Sequence, residues 1–228
     1  MTGRASPSST GAPAAGRYAI LSLFPELVRD KYAGPLPSSV QHGTNADAVH
    51  DLRNVYFRDG RRIVDLTYGA GGWWKRHRPD GLEISTSDFT ALPYPDGAFD
   101  TVCYDPPYIP HSGTSTSPNA DAFRDRFGLT KRTGPELLAM ILAGADEAAR
   151  ITEPAAGFLV VKCMDFVDAS RFHSWSYLIV AHLNAAGLVL HDEIVHAAGA
   201  GIGGHNIAEP KRARRSHSKF LVFTWTPR

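Results

Sequence analysis

The sequence predicts an α/β fold built on a largely parallel sheet whose last strand runs antiparallel. Three observations predict it. Short apolar runs of strand type alternate with segments of helical periodicity, the pattern of successive βα units. Two of those runs end in loops rich in chemistry, Tyr68-Gly69-Ala70-Gly71-Gly72 and Asp105-Pro106-Pro107-Tyr108. The final two runs, 187–196 and 217–225, have no helical segment between them and so pair antiparallel.

The 228 residues suffice for one domain, and 43% hydrophobic content supports a sizeable core. A net charge of +1 neither indicates nor excludes nucleic acid; what counts is whether the basic residues cluster. Cys103 and Cys163 lie in apolar runs and read as small buried hydrophobes in a reducing compartment. The ten histidines show no ligand spacing, so no metal site is expected. No apolar run has the length of a membrane span, and the N-terminus lacks the apolar core of a signal peptide, so a cytoplasmic protein is expected.

Residues 1–16 are Ser, Thr, Ala, Gly and Pro with little else, a composition that predicts disorder. A single domain is expected over 17–228, with short recognition loops at 109–133 and 197–216. Tyr18–Phe24 is apolar and covers part of the core. Thr44 or Asn45 caps a helix running to about Tyr56. Arg62–Thr67 is a strand, and the Gly-rich turn after it opens a short helix ending near Pro79. Leu82–Asp88 reads as a strand ending in a carboxylate. The apolar run from Phe99 leads into Asp105. Thr133-Gly-Pro-Glu136 is a capping box with proline just inside a helix that reaches about Ile151. Gly157–Cys163 is a strand, Phe172–Ala186 a helix, and the last two strands follow.

The Asp105 loop is chemically unusual. Each proline fixes its own φ and lacks an amide hydrogen. Each also drives the preceding residue out of the helical region, which holds Asp105 extended. The loop offers a carboxylate, the Pro106 carbonyl and the aromatic face of Tyr108. A planar amino group such as a nucleobase carries needs two acceptors and a surface to stack on. The Gly-rich turn, with Gly69 and Gly71, lets the backbone approach a ligand. Ligands of open α/β sheets bind beyond the carboxyl ends of the strands. If the strands leading to these two loops are neighbours, the loops face one crevice.

These motifs resemble those of the class I S-adenosylmethionine-dependent amino-methyltransferases that act on DNA. Asp65-Leu-Thr-Tyr-Gly-Ala-Gly71 is similar to their cofactor motif, with an Asp four residues before a G-x-G. Asp105-Pro106-Pro107-Tyr108 matches their catalytic motif in full. The segment from Asp88 to Asp100 resembles the stretch joining their adenine-binding acid to the catalytic strand, and Arg215–Phe223 resembles their last strand. The resemblance covers roughly residues 35–225 and implies a Rossmann-like fold. S-adenosylmethionine is the implied cofactor, leaving as S-adenosylhomocysteine, with contacts from Thr44, Asp65, Thr67, Gly69, Gly71 and Asp88. Asp105, Pro106, Pro107 and Tyr108 carry the implied chemistry. There is no room between Gly71 and Asp88 for the usual two helices and two strands, so one β-α unit is shortened. Asp88 is thus either the acid on the cofactor's adenine or the one on its ribose.

The implied partner is DNA, a duplex with the target base flipped out, since a stacked base is unreachable. Lys211, Arg212, Arg214 and Arg215 form the densest basic cluster and read as phosphate contacts. Arg124, Arg126, Lys131 and Arg132 supply a second edge, and His205 and Asn206 a base-reading pair. The leading reading is transfer to adenine N6 by a monomer or homodimer. N4-cytosine, an RNA base and a non-catalytic scaffold with this fold are the alternatives.

Overall fold

The computed structural model describes residues 36–108, 133–168, 171–197 and 216–226. The expected disordered segment at 1–16, the apolar run Tyr18–Phe24, the insert through Arg132 and the interior of the 197–216 loop lie outside the described residues. The chain divides after Leu36 into two units, and the fold below is that of the second.

A seven-stranded sheet runs through this unit. Its strands are β1 (Val40–His42), β2 (Ile63–Asp65), β3 (Glu83–Ile84), β4 (Thr101–Tyr104), β5 (Phe158–Cys163), β8 (Leu188–Ala197) and β9 (His217–Trp225). The order is β1-β8-β9-β5-β4-β2-β3, and β9 runs antiparallel to both of its neighbours while the other strands are mutually parallel. A two-stranded hairpin, β6 (Phe166–Asp168) with β7 (Arg171–His173), stands apart from it. Helices α1 (Asn45–Tyr56), α2 (Gly134–Ile151) and α3 (Trp175–Ala185) complete the fold. This is the Rossmann-like class I arrangement expected from the sequence.

Alternation along the strands divides the core in two. Ile63, Cys103, Phe158, Val160, Phe220 and Val222 join Ala48, Val49, Leu52 and Tyr56 of α1. Val64, Val102, Tyr104, Leu159, Val161, Leu221 and Phe223 join Leu137, Ile141, Ala145 and Ala148 of α2 and Ile179 and Leu183 of α3. The two longer helices begin where the sequence says they should. Thr44 and Asp47 form a reciprocal capping box at α1, as do Thr133 and Glu136 at α2, with Pro135 in its first turn.

Three local expectations are corrected. No helix follows the Gly-rich turn: residues 69–76 are successive turns and bends. Trp73 and Trp74 do the covering that a helix would have done, packing on the α1 face against Phe57, with Trp73 also on Phe220. The strand expected over Leu82–Asp88 is only Glu83–Ile84, so Asp88 lies in the loop beyond it. The helix expected from Phe172 starts at Trp175, because residues 171–173 pair with 166–168. The expected shortening is found between β2 and β4, where a two-residue strand and no helix occupy the chain.

Gly144 shows how tightly α2 lies on β4. A Cβ there would collide with the Tyr104 hydroxyl and with Phe89. Tyr104 is buried, and its hydroxyl donates to the Ile141 carbonyl at 3.2 Å. Gly144→Ala should therefore destabilise the protein by about 1–3 kcal/mol despite the better helix propensity of alanine. Urea unfolding checks this; unchanged or increased stability would show that the helix can shift at no cost.

Candidate active site

The parallel strands β2 and β4 are direct neighbours, with Asp65 in register with Cys103. The chain crosses over between them: β3 lies on the outer side of β2, and the chain then returns to place β4 on its inner side. Their carboxyl ends thus form the switch point of the sheet, where open α/β sheets bind ligands. The Gly-rich turn leaves β2 there, and the Asp105 loop leaves β4 there.

Hydrogen bonds join the two loops. The Asp105 amide donates to Thr67 Oγ1 at 2.7 Å. Asp65 Oδ1 accepts from the Thr67 amide at 2.9 Å, and its Oδ2 accepts from the Trp74 indole at 2.6 Å. Asp105 Oδ2 accepts from the Trp73 indole at 3.1 Å. Adjacent indoles in the turn thus hold the two motif carboxylates. Gly71 has φ of +67°, a left-handed conformation that favours glycine, and a Cβ there would lie 2.6 Å from the Tyr68 hydroxyl, so a side chain at this position would be strained and would displace that ring.

Burial is the main reason that the Asp65 carboxyl is pushed up to about 6; the Trp74 indole and the Thr67 amide oppose it, and the charge of Asp105 adds to it. Asp105 is also pushed up by burial, against the pull of Lys162 and the Trp73 hydrogen bond. Its side chain keeps 25% exposure, so an incoming group can reach it. Pro106 and Pro107 are buried and Tyr108 partly so, packed against the α2–α3 side of the core. The Tyr108 phenol is pushed far up by burial, then by Asp105 and Cys163, and stays protonated.

The other expected residues separate into groups. Thr44 follows β1 at the same edge of the sheet, where its hydroxyl and amide bond to Asp47 as a helix cap. Asp88 lies past β3, with its Oδ1 accepting from the amide and hydroxyl of Thr90. Arg124, Arg126, Lys131, Arg132, His205, Asn206, Lys211, Arg212, Arg214 and Arg215 lie outside the described residues. Among the described residues, no His, Cys, Asp and Glu group could hold a metal, and no helix is long and apolar enough to cross a membrane.

Sequence reasoning missed Trp73, Trp74 and Lys162. Lys162 had a readable signal, a lone cation in the apolar run Phe158–Cys163. The two indoles had none beyond their adjacency, because a helix was expected there.

No family model and no curated protein matches this sequence. Solved structures do resemble the fold. TTHA0409, a DNA modification methylase homologue from Thermus thermophilus solved with S-adenosyl-L-methionine, is 13% identical over 73% of this chain and 56% of its own, with a TM-score of 0.41. The PvuII cytosine-N4-specific DNA methyltransferase is 12% identical over 61% of this chain and 48% of its own, at 0.43. The [4+2]-cyclase SpnF is 15% identical over 90% and 94%, at 0.46. Likenesses this distant say nothing of chemistry, which has to come from the residues of the site.

Proposed function

We propose that this chain moves the methyl group of S-adenosylmethionine to the exocyclic amine of adenine (N6) in DNA. One observation carries the reading: the hydrogen bond from the Asp105 amide to Thr67 Oγ1, which fastens the Asp-Pro-Pro-Tyr loop to the Gly-rich turn at the switch point of the sheet. A cofactor on the turn and an amine on the loop would then meet. Gly69 and Gly71 suit the close backbone approach of such a cofactor. Thr44 and Asp88, on the flanking loops at the same edge, are the further contacts of this reading. Bound S-adenosylmethionine supplies an electrophilic methyl on its sulfonium.

An aromatic amine is a weak nucleophile because its lone pair is delocalised into the ring. With Trp73 on Oδ2, Asp105 offers Oδ1 to one amine hydrogen, and the Pro106 carbonyl takes the other. That pairing favours a pyramidal nitrogen with a freer lone pair. Tyr108 stacks on the base and Pro107 stiffens the loop, so positioning and electrostatics supply most of the rate. The new N–C bond forms as the C–S bond breaks and its electron pair returns to sulfur, leaving S-adenosylhomocysteine. The nitrogen then sheds its extra proton to Asp105 or to water.

The test is to incubate the protein with S-adenosylmethionine and, separately, duplex DNA, single-stranded DNA and RNA, and to identify modified nucleosides by mass spectrometry. N6-methyladenine in DNA is expected. N4-methylcytosine would keep the mechanism and change the target, and methylated RNA alone would move the substrate class. A non-catalytic scaffold is favoured by one feature, the missing helix after the Gly-rich turn; failure to bind S-adenosylmethionine would decide for it.

In this reading the domain over 17–228 holds DNA through its two basic loops. Replacing Lys211, Arg212, Arg214 and Arg215 by Ala should weaken DNA binding and flatten its dependence on salt, by up to about four in the slope of log affinity against log salt. An unchanged slope in a fluorescence titration would move the footprint elsewhere.

A further inference from the structure

Lys162 is a cation inside a buried strand. Every residue of β5, Phe158 to Cys163, is buried, and the Lys162 side chain keeps only 6% exposure. An ammonium there is costly unless it is paired. Its Nζ donates to Asn45 Oδ1 at 2.8 Å and lies 4.0 Å from Asp105 Oδ2. It also lies 5.8 Å from the centre of the Phe220 ring. Asn45 is the first residue of α1, and the capping box of Thr44 with Asp47 fixes where that helix starts. The Trp73 indole reaches the same Asp105 oxygen from the Gly-rich turn. Three distant stretches of sequence, at 45, 105 and 162, thus meet at the carboxyl edge of the sheet.

We propose that Lys162, steered by Asn45, is the positioning residue for Asp105: with Trp73 it fixes Oδ2, keeps the carboxyl ionised and leaves Oδ1 to accept an amine hydrogen. This rests on the reading of Asp105 as the amine acceptor. An ionised carboxylate only accepts hydrogen bonds, whereas a protonated one brings a hydrogen of its own to a group that needs acceptors. The surroundings otherwise favour the protonated form. Burial acts on Asp105, and Asp65 of β2 is near enough to feel its charge, while Tyr108 of its own loop and Cys163 of β5 are held neutral and bring no charge of their own. Lys162 and the Trp73 indole oppose this. On the far side of Lys162, His196 of β8 is itself biased toward its neutral form by burial and by Lys162. Lys162 therefore supplies the counter-charge at Asp105 among these groups.

The indole N–H of Trp73 reports on Asp105 without any catalysis. In protein carrying 15N-tryptophan, its resonance should show a titration step that Asp105→Asn removes, while the Trp74 indole follows Asp65. In Lys162→Met the midpoint of the Trp73 step should rise by about one pH unit or more. The acid limb of kcat/KM for methyl transfer should rise with it, at unchanged affinity for S-adenosylmethionine. Lys162→Arg should restore both. Asn45→Ala keeps the cation and loosens it, so a smaller shift in the same direction is expected, and this variant serves if Lys162→Met does not fold. An unmoved Trp73 midpoint in Lys162→Met, or in Asn45→Ala where Lys162→Met does not fold, overturns the assignment. A midpoint that moves in a protein transferring no methyl group upholds the pairing of Lys162 with Asp105 and removes the amine-transfer reading instead.

Discussion

In the proposed reading Asp105→Ala should lower methyl transfer by about a thousandfold or more and leave affinity for S-adenosylmethionine within about threefold. The expected loss is large because the proposed reading gives the carboxylate two tasks at the amine. It accepts a hydrogen as the nitrogen pyramidalises, and its negative charge stabilises the cationic nitrogen that follows. Neither is needed to hold the cofactor, whose contacts are assigned to the Gly69–Gly71 turn and its flanks. The alanine also leaves the Trp73 indole without its acceptor and Lys162 without its counter-charge. Asp105→Asn, which retains an acceptor oxygen, separates this structural disturbance from the loss of charge. Single-turnover transfer and calorimetric titration on the same preparations check both halves. A weakened cofactor affinity in both variants would show that Asp105 belongs to the cofactor's side of the crevice.

The second large effect is at Asp65. Its two oxygens satisfy the Thr67 amide and the Trp74 indole, and the residue is 4% exposed. Asp65→Ala leaves both donors without a partner, at about 1–3 kcal/mol each. The relief of a buried charge offsets part of this. The net expectation is a loss of about 2–4 kcal/mol, together with a loosened Gly-rich turn and weaker cofactor binding. The pH dependence gives a cleaner signature. The folded carboxyl titrates at about 6 against 3.8 for the free group. Between those values the native state holds more protons than the unfolded chain, so this residue's contribution to stability falls as pH rises from about 4 to about 6, then levels. The size is on the order of 2–3 kcal/mol. Asp65→Asn cannot titrate and lacks this slope. Asp47, Asp100 and Glu147 are held below the usual carboxylate range by their hydrogen-bond partners, and they give the opposite slope at lower pH. Their effect is common to both proteins and cancels in the difference. Urea unfolding of the two proteins across pH 4–7 is the check, and parallel curves would show that Asp65 is not held up by burial.

Much of this fold was legible because its signals are local. A cap at Thr44 or Asn45 and the capping box at Thr133 placed α1 and α2, and largely apolar runs placed β4, β5, β8 and β9. The juxtaposition of the two motif loops was legible only conditionally, since it needed β2 and β4 to be neighbours. What the sequence hid depends on tertiary partners. Nothing local says that Trp73 and Trp74 give their N–H groups to carboxylates and take over the sheet face that a helix would have covered. Phe172 fitted a helical pattern, yet the cross-strand pairing with Val167 decides its conformation. β1 is three residues long, too short for any periodicity, and is defined by its pairing with β8. Lys162 stood out in an apolar strand, but its partners lie at positions 45 and 105, beyond the reach of spacing rules.

In the proposed reading one crevice at the ends of β2 and β4 holds both the cofactor and the amine-accepting loop. A crystal structure with S-adenosylhomocysteine tests it most directly. The adenosyl group is expected beside the Gly69–Gly71 turn, with the sulfur facing the space in front of Asp105 and Tyr108. A ligand bound elsewhere, or a sulfur turned away from Asp105, would contradict it.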